Sequence, residues 1–400
     1  MTEAPSRPRS QHTNYGPAAQ QSLQRSIRRC ARSTPFVGQA AGRDGAHRSP
    51  ERGRASVRAR CVATPVLMRV VHVINRWGPG GAEKQLGELL RRVPLPQEVV
   101  ELQGDRAGDR PRELARLGRR LAAARPDVVV AWLDRSQIAV AITVARNVPL
   151  VASIRGLPRR RGAVGAWSLR LALARYDRLV TNSVAARDAT RAFARPLRLT
   201  SFEVIPNGVE IVPPRRAPAP SRRLRVGFIG RDSPDKGLDV CLDALELLGE
   251  EVEAVLIGHG VPEAVRKRRA GDRWTVFGRT ERPWERSGDL DALLVPSRSE
   301  GSPNVVVEAF ARGVPVIATP AGGTAELLAD NRGLQIPIGD PAAVAEAVRA
   351  LARHPAGAGK RAERARAYVE RNHGWASVCS RWSRLLADVA AGHRRHRSRP

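Results

Sequence analysis

The sequence predicts an α/β protein made of two doubly wound domains that face each other across a cleft. Three observations predict this fold class. The length of 400 residues suits two domains of common size. From Met68 onward, short runs of Val, Ile and Leu alternate with segments of helical period, and a proline-rich stretch divides this alternation in two. Since such sheets bind ligands at the carboxyl ends of their strands, we expect the active site between the domains.

Residues 1–67 carry twelve arginines against three acidic residues and show no apolar periodicity. This composition predicts a disordered basic tail. Met68, the second of two methionines, stands directly before the first convincing strand, which favours an over-extended reading frame or an inert tail. The alternatives are an organelle transit peptide or an arm that binds lipid phosphates.

The first domain is predicted over residues 68–212. Its first strand, Arg69–Asn75, is apolar on both faces, as a strand covered by helices on both sides should be. Apolar residues then recur at helical spacing on a helix that begins near Gly81. Further strands are predicted at Val128–Leu133, Leu150–Ile154, Leu179–Asn182 and Val204–Ile205.

Residues 213–223, with four prolines, predict an extended linker to a second domain over residues 224–374. A helix over residues 375–392 is predicted to end the fold, and its apolar stripe indicates core packing; a basic tail over 393–400 follows. The second domain also has a predicted helix at Gly237–Leu248, and helices dominate after Pro341. Its strands are predicted at Leu224–Ile229, Ala254–Ile257, Thr275–Phe277, Ala292–Pro296 and Val314–Ala318.

The charge balance of 68 Lys and Arg against 39 Asp and Glu suits nucleic acid, an anionic membrane surface or a phosphorylated substrate. Aromatic residues make up only 4% and do not alternate with basic ones, so we expect no nucleic-acid partner. The longest apolar run is broken by Asp134 and Arg135 and is shorter than the roughly 20 residues that span a bilayer. Four cysteines without a CxxC pair indicate a reducing compartment and no structural metal. We therefore expect a cytoplasmic protein, at most peripheral at the inner membrane face.

The strongest motif follows directly on the strand that ends at Pro296. Ser302 suits an N-cap and Pro303 suits the first position of a helix. The backbone amides of Asn304 and Val305 would then point out of a helix N-terminus toward the strand ends. Such an N-terminus attracts an anion, so the motif predicts a phosphate site.

Two glutamates bracket this predicted phosphate site. Glu300 lies in the loop before the helix and Glu308 more than one turn into it, and carboxylates accept hydrogen bonds from sugar hydroxyls. The alternative is that Glu308 is the polar face of a helix and Glu300 a loop charge. The caps, the spacing and the glycine- and proline-containing run Gly313–Glu326 favour a site for a sugar-bearing pyrophosphate.

These motifs resemble the retaining glycosyltransferases of family 4, which have the GT-B fold of two Rossmann-like domains. The stretch from Glu300 to Glu308 matches the family's Glu-x7-Glu motif, and Gly313–Glu326 continues the pattern in register. The resemblance covers roughly residues 68–390. It implies a metal-independent enzyme, without a cofactor, that moves a sugar from a nucleotide-sugar donor to a hydroxyl acceptor with retention of configuration.

The resemblance also implies roles for single residues. Glu308 would bind the donor ribose and Glu300 the donor sugar, with the amides from Gly301 to Val305 near the sugar and phosphate. Arg231 and Lys236 match the basic pair that neutralises the pyrophosphate. Fixed cations there would stabilise the leaving diphosphate more in the transition state than before it, although a solvated loop is the alternative.

The N-terminal domain contributes the run Gly78–Glu83, whose Gly80 and Gly81 resemble the family's glycine loop that approaches the donor phosphates. The run lacks the spacing of a dinucleotide fingerprint, and nothing in the chain matches a P-loop. Two further echoes of the family, Thr181–Ser183 and Val204–Val209, support the fold more than the chemistry.

Arg155 stands where many family members have a histidine. Because arginine cannot act as a base at neutral pH, it would be an electrostatic clamp for the donor sugar, the acceptor or developing charge. Asp134 either receives the acceptor proton or caps the next helix. His259 is a candidate for the donor's base or phosphate, whereas His72 is expected in the core and Asp289–Asp291 in a turn.

The expected reaction transfers a hexose-like unit from a UDP- or GDP-sugar to a saccharide or lipid-linked acceptor, in cell-surface polysaccharide, lipopolysaccharide or glycolipid synthesis. The basic cluster Arg159–Arg161 lies on the expected acceptor side. Three rivals stay open: a nucleotide-sugar epimerase or hydrolase of the same fold, a phosphorylase of the same fold, and a catalytically silent subunit that binds nucleotide-sugar.

Overall fold

A computed structural model describes residues 68–78, 80–102, 110–158, 162–197, 199, 201–214, 223–268 and 274–397. The predicted tail over residues 1–67, most of the predicted linker and the cluster Arg159–Arg161 lie outside the described residues. We call residues 68–209 the N-terminal half and residues 223–374 the C-terminal half.

The N-terminal half is a series of βαβ units around a parallel sheet of six strands, in the order β2-β1-β3-β4-β5-β6. Its strands are β1 (Val70–Ile74), β2 (Gln97–Glu101), β3 (Val128–Trp132), β4 (Leu150–Ile154), β5 (Arg178–Thr181) and β6 (Phe202–Val204). Its helices are α1 (Gly81–Arg92), α2 (Arg110–Ala124), α3 (Asp134–Thr143), α4 (Ala163–Ala174) and α5 (Val184–Ala194).

The C-terminal half repeats this plan with a second parallel sheet, in the order β12-β11-β10-β7-β8-β9. Its strands are β7 (Leu224–Ile229), β8 (Val252–Ile257), β9 (Trp274–Phe277), β10 (Ala292–Val295), β11 (Val316–Ala318) and β12 (Leu334–Gln335). Its helices are α6 (Leu238–Leu248), α7 (Val261–Lys267), α8 (Pro283–Ser287), α9 (Asn304–Ala311), α10 (Thr324–Leu328), α11 (Pro341–Arg353) and α12 (Pro355–Asn372), with 3₁₀ turns at Pro234–Lys236 and Gly249–Glu251.

The final helix, α13 (Trp375–Arg397), crosses back to the N-terminal half. Trp382 stacks on Trp132 of β3 with ring centroids 5.7 Å apart, and Leu385 and Leu386 are buried in the same apolar cluster. The predicted core role of this stripe is therefore confirmed. The helix ends at Arg397 rather than at residue 392, and arginine is a good helix former.

The predicted fold class is confirmed, and most strand boundaries agree within two residues. The strands β1, β3 and β4 are buried at every position because α1 and α13 cover one face of the sheet and α2, α3 and α4 the other. The strands β2 and β12 were not predicted. Each lies at a sheet edge; β2 has polar Gln97, Glu98 and Glu101, and β12 has only two residues. Edge strands need not be apolar on both faces.

Within the part of the chain that the structure describes, none of the helices combines the length and the apolar character required to cross a bilayer.

Candidate functional site

A lysine and a glutamate meet where the strand order of the C-terminal sheet reverses. The reversal falls between β7 and β10, so the carboxyl ends of these two strands open the crevice where doubly wound sheets bind ligands. The loop after β7 carries Lys236 and the loop after β10 carries Glu300. Lys236 Nζ donates to Glu300 Oε1 at 2.6 Å, so the two predicted residues are brought together at the predicted place.

The backbone around this ion pair fits tightly. Lys236 ends the 3₁₀ turn, and Gly237 follows with φ +66°, where a side chain would also place its Cβ 2.1 Å from the carbonyl oxygen of Pro296. Only glycine meets both demands. Glu300 is buried, and its Oε1 also accepts from Ser297 Oγ at 2.9 Å. A buried carboxylate with two donors is held in place before any substrate arrives.

Arg298, which was not among the predicted site residues, connects the two loops to each other. Its guanidinium donates to both carboxylate oxygens of Asp239 at 2.8 and 2.6 Å, and to the carbonyl oxygen of Pro234 at 3.0 Å. The hydrogen bonds from Arg298 lower the pKa of Asp239. The bidentate ion pair of Arg298 with Asp239 therefore fixes the position of Lys236 relative to Glu300.

The helix α9 begins one residue later than predicted. Pro303, not Ser302, is the N-cap, because the carbonyl oxygen of Pro303 accepts from the amide of Val306 at 3.2 Å and Pro303 itself is extended, with ψ 119°. The predictions of Ser302 as cap and Pro303 as first helical residue are wrong. The Ser302 carbonyl oxygen instead accepts from Asn207 Nδ2 at 3.0 Å, which holds the preceding loop to the N-terminal half. Asn304 and Val305 are then the first two helical residues.

Glu308 joins the two halves of the molecule. Its Oε2 accepts from Trp284 Nε1 at 2.7 Å, and its Oε1 accepts from the ammonium of Lys84 on α1. Neither partner was predicted. Lys84 lies three residues after Gly81, in the helix that follows the glycine loop, and the chain has only four lysines. Its position and the scarcity of lysine are the features of the sequence that could have identified it as a site residue.

The predicted glycine loop contacts the start of α9. A Cβ on Gly81 would lie 2.9 Å from Asn304 Nδ2, so a larger residue would displace the Asn304 side chain. Glu83 in the first turn of α1 is half-buried; burial raises its pKa, while the nearby charge of Arg231 opposes this shift. Arg231 is exposed and donates to Ser233 Oγ at 3.4 Å. Gly81, Arg231 and the N-terminus of α9 therefore converge on one region.

The guanidinium of Arg155 lies against two aromatic rings. Its Cζ lies 4.6 Å from the ring centroid of Trp132 and 5.5 Å from that of Trp382. Its Nε donates to Ser153 Oγ at 2.8 Å and its Nη1 to Asn207 Oδ1 at 3.1 Å. Burial lowers the pKa of Arg155 to about 9, so the group stays charged at neutral pH. Its role as a clamp stays a prediction.

Polar side chains of the N-terminal half hold the loops of the C-terminal half. Asn207 Nδ2 donates to Asn304 Oδ1 at 2.7 Å, and Ser183 Oγ donates to the carbonyl oxygen of Gly301 at 2.6 Å. In return, the Glu326 carboxylate accepts from the first two amides of α5, those of Val184 and Ala185, at 3.0 and 2.6 Å. The two runs predicted to support the fold thus also close the cleft.

The remaining candidates occupy separate positions. Asp134 is the first residue of α3 and Leu133 is the N-cap, so Asp134 does not cap that helix. His259 is exposed, and its side-chain role stays a prediction. His72 is buried in the core as expected, and the buried Asp291 accepts from the Arg225 amide at 2.8 Å, as a residue that fixes a turn does.

Two doubly wound parallel sheets, a helix that crosses back, and glutamates paired with lysines at the crevice place the protein in the class of GT-B glycosyltransferases. Comparison with known families agrees. The family described as "Glycosyltransferase Family 4" matches residues 70–212, and that described as "Glycosyl transferases group 1" matches residues 223–354. The chain belongs to the family 4, or group 1, glycosyltransferases.

Relatives of this chain are named for different activities. The D-inositol 3-phosphate glycosyltransferase 1 of Catenulispora acidiphila is 30% identical over 320 residues, which are 68% of this chain and 74% of the relative. The glycogen synthase of Mycobacterium tuberculosis is 28% identical over 307 residues, 69% of this chain and 72% of the relative.

A solved structure shares the fold. Anabaena Alr3699/HepE in complex with UDP-glucose superposes with a TM-score of 0.69 at 22% identity, over 80% of this chain and 100% of that chain. At this identity the likeness concerns the fold.

Proposed function

We propose that this chain is a retaining glycosyltransferase that moves a hexose-like unit from a UDP- or GDP-sugar to a hydroxyl of a saccharide or lipid-linked acceptor. The observation that carries the proposal is that Glu300 and Glu308, eight residues apart, each hold a lysine ammonium at the cleft. The carboxylates suit sugar hydroxyls and the cations suit a diphosphate. Membership of the family supports the same donor class.

The charged groups lie where the leaving group would need them. The diphosphate gains negative charge as its bond to the anomeric carbon breaks, and Arg231 and Lys236 would stabilise that charge more in the transition state than in the bound donor. The amides at the start of α9 and the glycine loop at Gly80 and Gly81 would surround the phosphates. No side chain is assigned as a nucleophile, so the protein's task is alignment and charge stabilisation.

The opposite wall of the cleft comes from the N-terminal half, where Arg155 and Asp134 are our acceptor-side candidates. The relatives' names point to different acceptors, so we take none of them over. We place the reaction in cell-surface polysaccharide, lipopolysaccharide or glycolipid synthesis at the inner membrane face, since a formal net charge of +29 suits anionic or lipid-linked acceptors.

The proposal is tested by thermal shift of the full chain with UDP, GDP, ADP and their sugars. A ligand at about 100 times its Kd should add about 2.7 kcal/mol to the free energy of unfolding. Glu308→Gln should weaken binding about tenfold, because it removes a charged acceptor and its bond to Lys84. Glu363→Gln, at an exposed position of α12, is the matched control and should bind like the wild type.

Turnover separates the proposal from its rivals. Release of nucleoside diphosphate that depends on an acceptor supports a transferase. Equal release without an acceptor would support a hydrolase, interconversion of the sugar an epimerase, and binding without turnover on a broad acceptor panel a silent subunit. Absence of a shift with every nucleotide would contradict the donor class itself.

A further inference from the structure

The helix α4 is apolar on the face it turns to solvent. Val164, Trp167 and Leu171 are 82%, 45% and 61% exposed. Their spacing of three and four residues places them on one stripe. The opposite face packs into the core of the N-terminal half through Leu169, Ala172 and Leu173. A helix that is apolar on all sides normally has a partner on each side, and the outer stripe of α4 lacks one among the described residues.

The sequence around α4 is basic. Residues 155–176 contain six arginines and no acidic residue, of which Arg155 is buried at the cleft and Arg175 donates to the carbonyl oxygen of Val144. The guanidinium carbon of Arg170 lies 5.0 Å from the ring centroid of Trp167, so an indole and a cation stand side by side at the surface. Tryptophan and arginine together suit the headgroup level of an anionic bilayer, where the ring sits at the interface and the cation meets phosphate.

A second copy of this chain fits the stripe less well. It would bring the same arginine-rich, acid-free segment against itself, and each copy carries a formal net charge of +29. Such a contact is opposed by repulsion, whereas an anionic lipid surface is attracted.

The stripe also lies close to the cleft along the chain. The loop that leads into α4 touches the donor loops of the C-terminal half: a Cβ on Gly301 would lie 2.7 Å from the Cα of Gly156, and a Cβ on Gly322 would lie 3.1 Å from Leu157 Cδ1. Val164 follows Leu157 by seven positions, so the stripe begins a short distance along the chain from residues that contact these loops.

We propose that the outer face of α4, formed by Val164, Trp167 and Leu171, docks on an anionic lipid bilayer and brings the cleft to an acceptor anchored there. The docking is inferred from the surface of α4 alone, whereas the delivery of the cleft to an anchored acceptor rests on the proposed glycosyl transfer.

The test is co-sedimentation of the full chain with vesicles of phosphatidylcholine and phosphatidylglycerol, compared with vesicles of phosphatidylcholine alone. Leu171→Glu should lower the partition coefficient on the anionic vesicles about tenfold, since it removes apolar contact and adds a negative charge. Leu247→Glu on α6 is the matched control, because Leu247 is 55% exposed on a helix of the other half. It should bind like the wild type. Both variants keep residues 1–67, so the basic N-terminus contributes equally to each.

Trp167→Ala provides a second, non-charged change and should weaken partitioning in the same direction. Equal binding of the Leu171 and Leu247 variants would overturn the proposal. So would an oligomer that Leu171→Glu converts to monomer while vesicle binding persists, because the stripe would then join two copies. A nucleotide-induced thermal shift that is unchanged in Leu171→Glu shows that the donor site is intact, so failure of docking and failure of the proposed function are separate results.

Discussion

The two halves of the cleft contribute different chemistry from the same kind of sheet. The C-terminal half places charged side chains in mutual contact: Lys236 with Glu300, and Arg298 with Asp239 behind them. The N-terminal half contacts these loops largely through neutral groups, such as the side chains of Ser183 and Asn207. The C-terminal half thus supplies most of the paired charges at the cleft, and the N-terminal half adds neutral contacts and the ammonium of Lys84.

The largest effect on activity is expected from removing a charged side chain of the C-terminal half. Lys236→Ala should lower kcat/KM by roughly 10³-fold, because a cation that stabilises the leaving diphosphate is typically worth a factor of this order. Steady-state kinetics on the preferred nucleotide-sugar measure it. Lys360→Ala, at an exposed position of α12, should leave kcat/KM unchanged. If a change in the N-terminal half costs more than Lys236→Ala, the division of labour is wrong.

The sequence predicted those structural features whose physical cause lies within a few neighbouring residues. The strands β1, β3 and β4 were predicted because burial on both faces makes them apolar throughout. Lys236 and Glu300 were predicted because short motifs around them resemble those of family 4, and because each follows a strand of the C-terminal sheet, where such sheets bind ligands. These causes act within a few residues.

Other features depend on contacts that sequence spacing does not reveal. Lys84 and Glu308 are 224 residues apart in the chain, and their pairing follows only from closure of the two halves. The start of α9 moved by one residue because Asn207 holds the Ser302 carbonyl, which overrides the local preference for serine at the N-cap. Tertiary contacts therefore decided the details of the site.

A second prediction concerns acid stability, in which the two sheets should differ. His72 of β1 is fully buried; its Nε2 hydrogen-bonds Gln97 Oε1 and its Nδ1 accepts from Trp132 Nε1. Burial lowers the pKa of His72 to about 4, and that of His373, at the end of α12, likewise to about 4. Among the described residues of the C-terminal sheet, no histidine is buried.

The folded pKa lies below the ordinary value of 6.5, so the unfolded chain binds the proton more readily. The stability from a neutral His72 is complete above pH 6.5 and is lost as the pH falls toward 4, by about 3 kcal/mol in the free energy of unfolding. His72→Gln should reduce the slope seen in urea unfolding between these pH values, to which His373 also contributes. An unchanged slope would contradict the assignment to the N-terminal sheet.

A third prediction tests Arg155, a buried cation of the N-terminal half that hydrogen-bonds Asn207. Arg155→Lys keeps the charge but loses the contacts of the guanidinium with the rings of Trp132 and Trp382 and one of the two hydrogen bonds. We expect a loss of about 1–2 kcal/mol in stability and about tenfold in kcat/KM, mostly through alignment of Asn207. Arg191→Lys, which changes an arginine 4.9 Å from the ring of Phe202 on the outer side, is the control for stacking alone and should leave kcat/KM unaltered.

The smallest effect on activity is expected from weakening a contact that closes the two halves on each other. Glu326 of the C-terminal half caps the N-terminus of α5 in the N-terminal half by accepting from two of its amides. Glu326→Gln should weaken this contact by about 1 kcal/mol, since it removes a negative charge from the positive end of a helix. A loss of that size corresponds to roughly a fivefold smaller closed population and so to a roughly fivefold higher KM for the donor.

Asp340→Asn is the matched control, because Asp340 Oδ1 caps α11 within its own half, from the Ala343 amide at 2.9 Å. Both variants should lose a similar amount of thermal stability, whereas only Glu326→Gln should raise KM. If Asp340→Asn raised KM equally, the effect would follow from lost stability in general. If neither did, the cap on α5 would be no part of closure, and the two halves would be held together by their other contacts, among them those of Ser183, Asn207 and Lys84.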